Sequence, residues 1–261
     1  MEVVISTTPD EAGRLAADAI SELVQRNSEA VLGVATGSSP VIIYDELGRR
    51  VAQGSLSLAE ARAFMLDEYV GLPADHPQRY RNVIRDEFVD KVDIDPANVF
   101  GPDGMAADLE SACEAYEQAI ADAGGVELQI LGIGTDGHIA FNEPGSSLAS
   151  RTRIKTLTSQ TRRDNARFFG GNVEAVPQHC LTQGIGTILE ARHIVLVAAG
   201  RGKAEAIHHL IEGSVSAMWP ATALQLHPHV TVLLDTAAAS RLQLASYYIE
   251  TYQGKPSWQG F

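Results

Sequence analysis

Short apolar runs return along this chain at intervals long enough to hold a helix, and each ends in glycine, hydroxyl or charged residues. The runs are 3–6 (VVIS), 30–35 (AVLGVA), 62–66 (RAFML), 126–133 (VELQILGI), 193–200 (HIVLVAAG) and 229–235 (HVTVLLD). Runs of this length without strict alternation suit strands buried on both faces. Between them the spacing predicts helices over 7–24, 41–52, 106–123, 180–191 and 201–213. The first has a strong start signal: Thr8 as N-cap, Pro9 in the first turn and Glu11 placed for a capping box. Strands separated by helical connections pair in parallel through right-handed crossovers. The predicted fold class is therefore α/β, a three-layer doubly wound, mostly parallel sheet, with residues 1–261 as a single domain.

The chain has 261 residues, 45% of them hydrophobic, which is enough to bury a substantial core. The formal net charge of −13 argues against nucleic acid or an anionic membrane surface as a partner, since both need a broad cationic footprint. An anionic substrate would need a local cationic pocket. Cys113 and Cys180 make no disulfide framework and read as free buried thiols of a reducing compartment. The N-terminus lacks the basic and apolar regions of a signal peptide, and no apolar run reaches bilayer length. A soluble cytoplasmic protein is expected.

In open parallel sheets, ligands bind beyond the carboxyl ends of the strands. Four polar clusters follow predicted strands here: 36–39, 67–68, 136–143 and 201–203. The turn VATGSSP is either a phosphate cradle at a helix start or an ordinary serine-capped turn. In MLDEYVG, neighbouring acids on extended backbone face opposite ways, so one of Asp67 and Glu68 enters a site, unless both are solvated turn residues. In DGHIAFNEP, Asp136 and His138 are two apart, and Glu143 can return to the imidazole if the chain turns near Asn142. A histidine between carboxylates suits proton shuttling. A capped loop or a metal site are the alternatives, although no second histidine stands at ligand spacing nearby. Residues 151–167 carry Arg151, Arg153, Lys155, Arg162, Arg163 and Arg167 against one acid, Asp164. They form either a solvated face or the cationic part of an anion pocket, with Lys203 a further candidate. Of the other histidines, only the pair His208-His209 invites a check for metal binding.

Taken together, TGSSP, MLDEYVGL, GIGTDGHIAFNEPGSSLASRTRIKTLT, ARFFGG, RGKAEAI and MWPATALQLHPH resemble the glucosamine-6-phosphate deaminase family, in collinear order over about residues 30–235. The related 6-phosphogluconolactonases share a similar DGH loop but do not continue it into FNEP. The resemblance implies a modified Rossmann-like fold with a mobile lid, here about residues 157–180. It also implies conversion of D-glucosamine 6-phosphate and water to D-fructose 6-phosphate and ammonia, with no metal or organic cofactor. Carried over residue by residue, Asp67 becomes the carbon-proton base and His138 the ring-opening catalyst, supported by Asp136 and Glu143. Thr36, Gly37, Ser38, Arg167 and Lys203 become phosphate ligands. Some family members are hexamers activated by N-acetylglucosamine 6-phosphate, and Ser146, Arg153 and Lys155 match that regulatory site. The C-terminal SYYIETYQGKPSWQGF departs from the family, so neither a homo-oligomer nor activation follows directly. The alternatives are a sugar-lactone hydrolase using the same loop, or a sugar-phosphate sensor; the chain leaves no room for a sensor's DNA-binding segment.

Overall fold

The computed structural model describes residues 1–256 and 259–260; Ser257, Trp258 and Phe261 of the C-terminal tail lie outside the described residues. In chain order the strands are β1 (Glu2–Ser6), β2 (Val31–Val34), β3 (Arg62–Met65), β4 (Asp67–Tyr69), β5 (Val99–Phe100), β6 (Leu128–Leu131), β7 (Arg153–Thr156), β8 (His179–Thr182), β9 (His193–Ala198) and β10 (Val230–Asp235). The helices are α1 (Pro9–Arg26), α2 (Ser38–Ala52), α3 (Tyr80–Glu87), α4 (Leu109–Asp122), α5 (Ser159–Asn165), α6 (Ile185–Ile188), α7 (Ala204–Glu212) and α8 (Ala245–Gln253). At the start of α1, Thr8 accepts the Glu11 amide as expected, while the Glu11 carboxylate reaches back to the amide of Thr7 rather than Thr8.

Seven strands form one sheet in the order β1-β10-β9-β6-β2-β3-β5, and every neighbouring pair is parallel. The period of two along each strand divides its residues between two cores. Leu32, Val34, Ile130, Val195, Val197 and Leu233 face the core under α1, α2 and α3. Val31, Leu131, Ile194, Leu196, Val232 and Leu234 face the core under α4, α6 and α7. Each such side chain contributes about 1.5–3 kcal/mol of transfer free energy on burial. These two helical layers around one sheet make the predicted three-layer domain.

From β2 the chain moves outward to β3 and β5, then returns to the other side of β2 as β6 and continues to β9 and β10. The carboxyl ends of β2 and β6 therefore flank a topological switch point, where the strand order opens a crevice.

A second sheet departs from the sequence expectation. The segment 180–191 was expected to be one helix, but its first residues form β8, and only Ile185–Ile188 is helical. β8 pairs antiparallel with β4 on one side and β7 on the other. Strand pairing overrides the local helical pattern because β4 and β7 would otherwise lack backbone partners. The glycines after β8 also pack where no side chain fits: a Cβ on Gly184 would lie 2.0 Å from the Ser150 carbonyl oxygen.

β4 is held from its other side as well. Gly104 presses against it so closely that an added Cβ would stand 2.1 Å from the Tyr69 carbonyl oxygen, a backbone atom with no freedom to give way. Gly104→Ala is expected to cost about 1–3 kcal/mol, seen as a lower urea midpoint at unchanged m-value.

Candidate active site

Residues 36–39 follow β2 directly. Gly37 has φ 107°, a left-handed conformation open to glycine, and no side chain caps α2 behind it. The first amides of α2 thus carry no side-chain cap, unlike those of a serine-capped turn. The end of β6 lies close by: a Cβ on Gly132 would be 4.0 Å from that of Ser39. Lys203, beyond β9, reaches the same place and donates to the Ile133 carbonyl at 2.5 Å. Burial and then the charge of Arg167 pull the Lys203 ammonium below its ordinary value. The charge of Arg167 is thus felt at Lys203.

The rest of the cationic segment is largely committed elsewhere. Arg151 binds Glu117 and Glu190, and Arg162 binds the Val173 and Val176 carbonyls and Glu174. Arg153 and Lys155 lie on β7, the edge strand of the small sheet, and Ser146 is buried with no partner for its hydroxyl among the described residues. The cationic segment 151–167 is thus divided between α5, the chain beyond it and β7.

At the mouth of β3 the two acids separate as the extended backbone demands. The Glu68 carboxylate turns to the start of α3, accepting the amides of Tyr69 (2.8 Å), Tyr80 (2.8 Å) and Arg81 (2.9 Å), with Arg79 at 3.7 Å. It acts as a remote N-cap. Asp67 is buried at 6% exposure, and no hydrogen bond or ion pair to its carboxylate occurs among the described residues. Burial, and then the charge of Glu68, push its pKa up to about 8.

The loop after β6 returns on itself as the sequence allowed. The Asn142 amide donates to the Ile139 carbonyl, and Ala140 takes a positive φ of 50°, so that Glu143 comes back toward His138. Nδ1 of His138 lies 2.7 Å from Oδ1 of Asp136 and 4.0 Å from Oε2 of Glu143. Gly134 leaves room for the ring, since a Cβ there would sit 2.2 Å from the imidazole. Burial raises the Asp136 carboxyl, but its hydrogen bond and charge contact with His138 outweigh that and hold it well below the usual carboxylate range. Burial pushes the Glu143 carboxyl up instead. Two carboxylates displaced in opposite directions around one imidazole have the arrangement that proton transfer calls for. Their ligand atoms, with the imidazole nitrogen, lie within 4.8 Å of one another, a spacing that would also admit a cation. His208 and His209 diverge: the first pairs with Glu212 at 3.0 Å, and the second stacks on Trp219.

The chain matches the family described as glucosamine-6-phosphate isomerases/6-phosphogluconolactonase over residues 6–233. It is 70% identical over 260 residues to a glucosamine-6-phosphate deaminase of Mycolicibacterium smegmatis and 71% identical to one of Beutenbergia cavernae, in both cases across the whole of each chain. The chain belongs to this family. A solved monomeric glucosamine-6-phosphate deaminase superposes with a TM-score of 0.89 at 43% identity, covering 92% of this chain and all of its own. The 6-phosphogluconolactonase of Trypanosoma brucei shares the fold at a TM-score of 0.75 and 22% identity, covering 92% of this chain and 98% of its own.

Within the family fold, three residues that the sequence reading passed over tie the site together. Thr182 is the cross-strand partner of Asp67, and its hydroxyl accepts the Phe141 amide at 3.2 Å. Gln183 donates to the Met65 carbonyl, and its own carbonyl accepts from Asn142. The Thr161 hydroxyl donates to Glu143. None carries a motif signal, because polar residues next to a short strand or on a short helix are common.

Asp67 binds more protons folded than unfolded between its ordinary 3.8 and about 8. Wild-type stability should therefore fall as pH rises through that window. Asp67→Asn, neutral throughout, should gain on the wild type between pH 5 and pH 8 in urea unfolding; a constant difference would contradict a buried, proton-holding Asp67.

Proposed function

We propose that this protein catalyses the isomerising deamination of D-glucosamine 6-phosphate to D-fructose 6-phosphate and ammonia in amino-sugar catabolism. The observation that carries this reading is Asp67: a buried, unpaired carboxyl raised to about 8, whose cross-strand partner Thr182 holds the histidine loop at Phe141. A lactonase needs a group to activate water but no base for a carbon-bound proton. Full-length relatives at 70% identity and above carry the deaminase name, whereas the likeness to lactonase structures is one of fold.

The chemistry follows from the order in which bonds become reactive. In the closed sugar, no carbonyl acidifies the hydrogen on C2, so the ring opens first. His138, flanked by Asp136 and Glu143, moves the proton from the anomeric hydroxyl to the ring oxygen. The aldehyde at C1 then acidifies C2, and Asp67 removes that proton to give an enolamine. Returning a proton to C1 makes the 2-imine, which water hydrolyses to ketone and ammonia. The adjacent carbons C2 and C1 are within reach of one carboxylate. Each positioned acid–base group supplies about 100- to 10,000-fold in rate. The free amides of Thr36–Ser38, with Arg167 and Lys203, hold the phosphate, whose binding energy fixes the reacting end in register. Residues 157–180 act as a lid that brings Arg167 to it.

A second anion site, for N-acetylglucosamine 6-phosphate, is proposed around Ser146, Arg153 and Lys155. The buried unpartnered Ser146 hydroxyl favours it, as do two cations on one face of β7 with no carboxylate partner among the described residues. No helix among the described residues is long and apolar enough to cross a membrane. The free thiols of Cys113 and Cys180 fit a reducing cytoplasm.

Ammonia and fructose 6-phosphate should appear when the protein meets D-glucosamine 6-phosphate; hydrolysis of 6-phosphogluconolactone without ammonia release would replace this reading. Asp67→Asn should lower ammonia release and C2 solvent exchange by at least about 100-fold while substrate still binds. Arg167→Ala should raise KM by about tenfold or more through a lost charge-assisted contact, with a smaller loss of kcat because α5 is drawn into place less firmly. Adding N-acetylglucosamine 6-phosphate to the same assay, alongside sedimentation velocity, tests activation and assembly together.

A further inference from the structure

The catalytic loop is tied to the lid by one hydroxyl. Thr161 lies on α5, is buried at 9% exposure, and donates to Oε1 of Glu143. A threonine hydroxyl has a single proton, so the neighbouring contact of 2.9 Å between Thr158 and Thr161 must be donated by Thr158. Thr158 is also the N-cap of α5 and accepts the Thr161 amide at 3.1 Å. The direction of every proton in this chain is therefore set from the helix cap toward the carboxylate.

Pinning one oxygen of a planar carboxylate fixes the other. With Oε1 held by Thr161, Oε2 stands 4.0 Å from Nδ1 of His138. The same helix face makes a second polar contact one turn later, where Asn165 Nδ2 donates to the Tyr69 hydroxyl at 2.9 Å. Tyr69 lies two residues beyond Asp67 on β4. One face of a seven-residue helix thus touches both the imidazole loop and the strand of the carbon base. A helix this short does not hold itself together in water, so its seating rests on such contacts and on the small core of Tyr69, Phe141, Leu157, Ala166 and Val176.

We propose that Thr161 is a positioning residue of the deamination reaction: its hydroxyl orients the Glu143 carboxylate toward His138 only when α5 is seated, which makes ring opening depend on the lid. This rests on the deaminase reading above. No atom of Thr161 touches substrate in this scheme; it acts through Glu143.

The test compares Thr161→Val, which replaces the hydroxyl with a methyl of similar size, with Thr161→Ser, which keeps it. In steady-state ammonia release, Thr161→Val should lower kcat about 10- to 100-fold, the worth of a hydrogen bond to a charged group, with KM little changed. Thr161→Ser should recover most of the loss. Amide hydrogen exchange of the ligand-free protein should quicken across α5 in the valine variant and stay close to wild type in the serine variant. Thr161→Ala reads the same contact if the valine variant does not fold. Wild-type kcat in the valine or alanine variant, or a serine variant as impaired as valine, would overturn the proposal. So would an effect confined to KM. Exchange needs no substrate. A wild type that releases no ammonia would therefore defeat the deaminase reading alone, and unchanged exchange in Thr161→Val would still overturn the anchoring role.

Discussion

Two backbone carbonyls at the end of β3 decide where the candidate catalytic residues stand. There the chain leaves the parallel sheet to enter the small antiparallel one, and the carbonyls of Met65 and Leu66 have no ladder to join on that side. Gln183 resolves both: its amide donates to Leu66 at 2.8 Å and its side chain to Met65 at 3.0 Å. Tyr116 adds a second donor to Met65 at 2.5 Å. An unmet buried carbonyl would cost about 1–3 kcal/mol, so the junction has strong reason to keep Gln183 in place. The Gln183 carbonyl then accepts from Asn142, the residue at which the histidine loop turns. One buried glutamine therefore fixes Asp67, the next residue along, and the return of Glu143 toward His138. Asp67 and the Asp136–His138–Glu143 loop, the proposed carbon base and ring-opening set, are positioned by the same satisfied backbone.

Asp67 and Glu68 show how adjacent carboxyls of one strand acquire different work. Both are buried, and burial raises both. Glu68 recovers part of that cost from three backbone amides and Arg79, and in doing so starts α3. Its charge is spent on the fold. Asp67 receives no such compensation, and the charge of Glu68 raises it further. A carboxyl left proton-hungry near neutral pH is what abstraction from carbon needs, and the fold produces it by withholding donors rather than by adding a partner.

The large sheet was legible because its strands are apolar on both faces and are punctuated by helices with clear starts. The small sheet was not. β4, β7 and β8 are three or four residues each, and β7 alternates half-buried and exposed positions in a segment dense with arginine. Their strand character comes from pairing with one another, a long-range property that no local window contains. The candidate site divides the same way. Asp136, His138 and Glu143 could be grouped because a single loop carries them, and the turn at Asn142 closes that loop as its spacing allowed. Thr161, Thr182 and Gln183 reach the site from 18 to 118 residues away in sequence, through individual side-chain hydrogen bonds that no local pattern signals. Arg167 and Lys203 are likewise joined only in space.

That last pair links binding to chemistry. In a chain of net charge −13, the charge of Arg167 lowers Lys203, which is anchored at the end of β6 close to the uncapped start of α2. On the deaminase reading, a phosphate dianion seated among them would turn that repulsion into attraction for both cations. Lys203 is already anchored to the Ile133 carbonyl, so Arg167, exposed and just beyond α5, is the partner with freedom to move. Drawing Arg167 inward draws on the segment that carries Thr161 to Glu143 and Asn165 to Tyr69. Binding energy at the phosphate, far from the reacting carbons, would then be spent on the geometry of the imidazole and of the strand bearing Asp67. A sugar lacking the phosphate would lose rate as well as affinity, because the contact that seats α5 and the contact that holds the ligand belong to one short stretch of chain.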